Sequence, residues 1–147
     1  MRLARGLVLA LVLWVVALVW APSAIASSNP ALATMATMVY QGGAVVCHQR
    51  PERSFVLFGR PMPVCARCTG LYASALAGAA LALAVAMPMG AGRARWVLAI
   101  AVAPTIATVM LERAGLAAPS NLVRAVAAIP AGVAAAWLVI GLLRDSR

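Results

Sequence analysis

The chain has 147 residues, of which 65% are hydrophobic and 10% charged, with a mean hydropathy of +0.98. That leaves too little polar material to cover a soluble domain, where about a quarter of residues are charged. All twelve basic residues are arginines, set against Glu52, Glu112 and Asp145 for a net charge of +9; because they flank apolar runs or crowd one loop, they point to bilayer headgroups and not to nucleic acid.

Residues 1–26 open with Arg2 and Arg5 and then run apolar from Gly6 to Ala21. They read as a first transmembrane helix or, alternatively, as a signal peptide with Ala24-Ile25-Ala26 as its small-residue cleavage site. Both readings deliver Ser27 and the residues after it out of the cytoplasm. Residues 27–46 predict a short interfacial helix, capped by Ser28 or Asn29, with Pro30 at its first position and a break at Gly42-Gly43. Residues 47–69 are the one strongly polar stretch. Residues 70–92 and 93–112 predict two transmembrane helices joined by the basic turn Gly92-Arg93-Ala94-Arg95, with Pro104 inside the second. A loop at 113–121 leads to a last transmembrane helix and basic tail at 122–147, with Arg124 near its start and Pro130 inside.

The expected fold is therefore an all-α, multi-pass protein of the cytoplasmic membrane. It is a four-helix transmembrane bundle, three if the N-terminal segment is cleaved, with one Cys/His-rich loop. Arginine counts leave the orientation tied, with Arg2, Arg5, Arg93, Arg95, Arg144 and Arg147 at one end and Arg50, Arg53, Arg60, Arg67, Arg113 and Arg124 at the other. The basic flank of the first helix and the tight turn at 93–95 break the tie and place the loop outside. Along the second span Gly70, Ser74, Gly78, Ala82 and Ala86 recur every four residues, a small face that lets another helix approach closely. Its partner is expected within the bundle; a homo-oligomer or a larger membrane complex is the alternative.

The chemistry is concentrated in the loop. Cys47, His48, Cys65 and Cys68 comprise every Cys and the one His, and Cys65-Ala66-Arg67-Cys68 has the spacing by which two thiolates reach one metal or close a redox disulfide. Three sulfurs and an imidazole make zinc the first choice, with an iron–sulfur cluster or no cofactor as alternatives. Adjacent helical side chains diverge by about 100°, so Cys47 and His48 can share an ion only on irregular backbone. If no metal binds, the pair Cys65 and Cys68 suits a thiol–disulfide or quinone-linked oxidoreductase, since a helix N-terminus and nearby arginines favour the thiolate. Arg50, Arg53, Arg60 and Arg67 are expected to contact headgroups or a bound anion, and Glu52 to pair with a neighbouring arginine. One His and so few carboxylates leave no base with an orienting partner, which excludes a Ser-His-Asp hydrolase. The expected role is a binding or assembly component; a helix-packing subunit of a larger complex is a further alternative.

The string CHQRPERSFVLFGRPMPVCARCTGLY at 47–72 resembles the signature of a family of small bacterial and archaeal membrane proteins known only as a domain of unknown function. That signature, Cys-His-Gln-x-Pro-x-Arg-Ser, a Gly, then Pro-Val-Cys-x-Arg-Cys-Thr-Gly-x-Tyr, falls here on Cys47, His48, Gln49, Pro51, Arg53, Ser54, Gly59, Pro63, Val64, Cys65, Arg67, Cys68, Thr69, Gly70 and Tyr72. Ser120, Asn121 and Arg124 resemble a later Ser-Asn-x-x-Arg element of the same family. Two departures stand out: Ser74 replaces a glycine, and Thr108 stands where the resemblance implies an acid inside the preceding span. The resemblance implies membrane residence and singles out the Cys/His loop.

Overall fold

The computed structural model describes residues 2–85 and 90–145; Ala86, last of the small-residue series, and Arg147 of the tail lie outside the described residues. Among those described there are five α-helices: α1 (Arg2–Ala24), α2 (Pro30–Val46), α3 (Ala66–Ala84), α4 (Ala91–Arg113) and α5 (Asn121–Asp145). Between α2 and α3 lie a 3-10 turn at Pro51–Arg53 and a two-stranded antiparallel hairpin, β1 (Val56–Leu57) with β2 (Arg60–Pro61). The helices α1, α3, α4 and α5 are long and apolar enough to cross a membrane. At 17 residues α2 falls short of the ~20 that a span needs.

The centre of the bundle is the parallel pair α3 and α5. Gly70 lies against the backbone of Ala125 and Gly78 against that of Val133, while Gly132 of α5 lies against Leu71 and Ser74 of α3. A Cβ at any of the three would collide with the helix opposite. Buried alanines complete the seam, Ala75, Ala79 and Ala82 on one helix and Ala125, Ala128, Ala131 and Ala134 on the other. Lipid tails are as apolar as side chains, so two helices in a bilayer hold together through close packing, and small residues make that packing possible. The face of Gly70, Ser74 and Gly78 is thus filled by α5 of the same chain. The partner expected within the bundle is therefore α5.

Around this pair, α1 runs antiparallel to α3. Ala4 packs with Ala79, Ala82 and Ile140 at one end, and Leu18 with Cys47, Met62 and Val64 at the other. Helix α2 folds back along the second half of α1, bringing Ala36 to Ala21 and Ala24. Its first turn is as expected, since the Asn29 side chain caps Ala31 N–H at 3.0 Å and Pro30 follows. Its end is not. The helix continues through Gly42-Gly43, because neither glycine serves as a breaker: Gly42 lies beneath the Trp14 ring, and Gly43 admits the Pro63 carbonyl and the Gln49 amide where a Cβ would stand. The chain leaves the helix only at Cys47, with φ −146° and ψ 141°.

Helix α4 packs chiefly on α5, and two polar groups tether it. Thr105 donates its hydroxyl to Ala127 O of α5 at 2.8 Å, and Glu112 sits in its last turn. Arg2, Arg5, Arg93, Arg95 and Arg144 fall at one end of the bundle, where Arg144 donates to Ala82 O. The Cys-rich loop, the end of α4 and the start of α5 share the other.

Replacing Gly78 by Val is expected to force α3 and α5 apart and to destabilise the protein by about 2 kcal/mol, as overpacking does. Gly141→Ala, at a helical glycine with no atom within 4 Å of the new Cβ, should not destabilise and should gain up to ~1 kcal/mol of helix propensity. Thermal unfolding of both variants in detergent checks the contrast.

Candidate metal centre

Sequence-distant cysteines meet because the loop is pinned at both ends and in the middle. After Cys47 the chain turns at Gln49, which takes φ +47°, a left-handed conformation that is costly for a non-glycine residue. Its side chain holds it there, donating Nε2–H to Tyr40 O at 2.5 Å and to Pro63 O at 2.7 Å. The Ser54 hydroxyl donates to Arg50 O at 3.0 Å and closes the 3-10 turn. Phe58 and Gly59 both have positive φ, 52° and 73°, the pattern of a two-residue type I′ hairpin. The Tyr40 hydroxyl then ties Pro61 O to α2 at 2.7 Å. Met62, Pro63 and Val64 are buried, so the chain enters α3 at a fixed depth. Cys65 is the N-cap residue of α3 and Cys68 its third residue.

The Sγ atoms of Cys47, Cys65 and Cys68 all lie within 4.8 Å of one another. Cys65 and Cys68 Sγ are 3.6 Å apart, and Cys65 N–H donates to Cys47 Sγ at 3.1 Å. All three are free thiols. Leu18, Met62 and Val64 back them with apolar surface, and Tyr72 beneath stands edge-to-face on Trp14, ring centroids 6.1 Å apart. The hydrogen bond shared with Cys68 holds the Cys65 thiol far below its usual range, at about 5; burial opposes this, and backbone N–H groups and Cys47 add to it. Three thiols this close can hold a metal ion.

His48 is exposed and stands outside the group of three. The extended backbone at Cys47 accounts for this, since successive side chains on extended chain point to opposite sides. His48 does line the cavity onto which the three cysteines open.

Beside the thiols lies a cluster built on Glu112. Its Oε1 takes Arg53 Nη2 at 3.1 Å and Arg124 Nη2 at 2.8 Å, and its Oε2 takes Arg67 Nη2 at 2.7 Å. Of the four arginines expected at headgroups or an anion, Arg53 and Arg67 thus have an internal partner, while Arg50 and Arg60 are exposed. The ion-pair partner of the loop is Glu112 and not Glu52, which is exposed and belongs to none of the described ion pairs. Asn121 joins the cluster to the loop: its Nδ2 donates to Ser54 O at 2.9 Å, and its Oδ1 accepts from Arg124 Nη1 at 2.9 Å. Thr108 only returns its hydroxyl to Thr105 O; the carboxylate of this helix stands one turn later. Glu112 is the residue that sequence reasoning missed. The available signal was that it is one of three acids in the chain and ends a span.

The chain belongs to the family described as predicted membrane protein (DUF2085), whose match covers residues 47–138. It is 30% identical over 103 residues to an uncharacterised protein of Methanocaldococcus jannaschii, a stretch covering 69% of this chain and 66% of that one. It is 32% identical over 94 residues to an uncharacterised protein of Methanothermobacter thermautotrophicus, covering 63% of this chain and 83% of that one. No solved structure matches.

Glu112→Gln is expected to destabilise the protein by about 3 kcal/mol, because Arg67 and Arg124 would stay largely buried without a counter-charge. It should also free Arg53 and make the segment 47–64 more susceptible to protease. Glu52→Gln should change neither the unfolding midpoint in detergent nor the cleavage rate.

Proposed function

We propose that this protein holds one zinc ion through Cys47, Cys65 and Cys68 on the extracytoplasmic face of the cytoplasmic membrane, with His48, which stands outside the group of thiols, turning in from the wall of the shared cavity as the fourth ligand. It serves there as a binding or assembly component. The observation that carries this reading is the meeting of the three sulfurs. Zn–S bonds of 2.3 Å at tetrahedral angles separate two sulfurs by ~3.8 Å, close to the 3.6 Å between Cys65 and Cys68. The Cys65 N–H aimed at Cys47 Sγ is the kind of outer-shell donor that steadies a charged metal ligand. Soft thiolates select zinc over hard cations, and three cysteines fall short of the four that ordinary iron–sulfur clusters take. His48 is the one imidazole of the chain and lines the same cavity. A loop this short cannot build its own core, so an ion linking the end of α2 to the head of α3 would supply the cross-link. A hydrolytic zinc needs a nearby base; Glu112 has both oxygens in ion pairs and Glu52 is exposed, which favours binding over hydrolysis.

A second reading, thiol–disulfide exchange, draws on one specific observation: Cys65 caps a helix, is favoured as thiolate, and lies 3.6 Å from Cys68. In that chemistry the Cys65 thiolate attacks a partner's disulfide and releases one partner thiolate. Cys68 then displaces the second, leaving the partner reduced and the pair oxidised.

Metal analysis of the purified full chain and its variants separates the two. Zinc binding predicts about one zinc per chain, lost equally from Cys47→Ser, Cys65→Ser and Cys68→Ser. It also predicts affinity reduced about 100-fold in His48→Ala, roughly a quarter of the binding free energy of a structural site. Zinc-free protein, with Cys68→Ser trapping a mixed disulfide through Cys65, would replace this reading with the second.

A further inference from the structure

The cavity onto which the thiols open, about 220 Å³ in volume, has a second wall of a different character. Five arginines form it: Arg50 and Arg53 from the loop, Arg67 from α3, Arg113 from the end of α4 and Arg124 from α5. Against them stands Glu112, whose two oxygens are already shared among Arg53, Arg67 and Arg124. The wall is left with a large excess of positive charge. Two of its groups are also buried without a partner: Arg67 Nε and Arg124 Nε each lack a hydrogen bond, and Arg124 is only 9% exposed. A buried N–H left unmade is costly, and more so on a charged group. Arg50 and Arg113 are exposed on the same wall and form none of the described ion pairs.

We infer that this cavity is a binding site for a phosphate group, held by Arg50, Arg53, Arg67, Arg113 and Arg124. Several planar forks converging on one space suit a tetrahedral oxyanion, which offers acceptors in every direction; a carboxylate offers two oxygens in one plane. The volume admits a phosphoryl group together with part of what carries it. Two sources share this chemistry, free phosphate and the phosphate of a lipid headgroup. The site does not include Arg60, which is absent from the cavity wall. It rests on the arginine wall alone and stands whether or not the thiols hold zinc.

The test is binding of inorganic phosphate to the full chain in detergent micelles, and separately of phosphatidic acid, compared with phosphatidylcholine, added to the same micelles. Zinc is counted in the same samples, so the fate of the metal reading is scored apart. Because Arg67 and Arg124 are locked to Glu112, the informative variant is Arg50→Gln with Arg113→Gln, which spares the ion cluster. Saturable stabilisation by phosphate is expected, weakened at least about tenfold in that double variant, as loss of charge-assisted hydrogen bonds implies, and unchanged in Arg60→Gln. If phosphatidic acid in the micelle shows this dependence and free phosphate does not, the source is a lipid headgroup. Binding of neither, or binding equally strong in the double variant, would overturn the inference.

Discussion

Glu112 is where four separate parts of the chain are joined. It ends α4, and it draws in Arg53 from the loop, Arg67 from the first turn of α3 and Arg124 from the first turn of α5. Exposed ion pairs on a soluble protein are worth little, because water screens them and long side chains lose freedom in forming them. Here Glu112, Arg67 and Arg124 keep 12%, 16% and 11% of their side-chain surface exposed, so removing the carboxylate leaves charge that water screens only weakly. The loop has little core of its own, and α4 exposes most of its apolar surface. Glu112 ties both to the heads of α3 and α5.

Sulfur and charge are coupled through the geometry of one helix turn. Arg67 stands between Cys65 and Cys68 on α3, so the rotation that aims it at Glu112 also aims the two cysteines at Cys47. That rotation is set lower in the bundle, where Gly70 and Gly78 press on the backbone of α5 and permit one azimuth. Packing in the apolar interior thereby fixes the alignment of polar groups at its end. Asn121 performs the same service from the other side, bonding the loop at Ser54 and steering Arg124.

Much of this was legible in the amino-acid sequence. Four apolar runs predicted four spans, and the four-residue spacing of Gly70, Ser74 and Gly78 predicted a close helix contact. The placing of Cys65 and Cys68 at the head of the second span followed from where the polar loop ends. Four features escaped. Gly42 and Gly43 look like a helix end because glycine lowers helix propensity, whereas here they make room for Trp14, Gln49 and Pro63 across the helix surface. The hairpin at 56–61 is two residues per strand, too short for any alternation to register. The pairing of Arg67 with Glu112 spans 45 positions, and no local pattern carries a contact between side chains that folding alone brings together. The alternation of side chains along extended backbone likewise sets His48 apart from Cys47, its neighbour in sequence.

In the proposed function the three thiolates of this loop share one zinc ion. Zinc K-edge X-ray absorption on the purified full chain measures that directly. A shell of three sulfurs at ~2.3 Å and one nitrogen at ~2.0 Å is expected, with the sulfur count falling in each Cys→Ser variant. A shell of nitrogen and oxygen alone, or purified protein without zinc whose Cys65 and Cys68 form a disulfide, would contradict it.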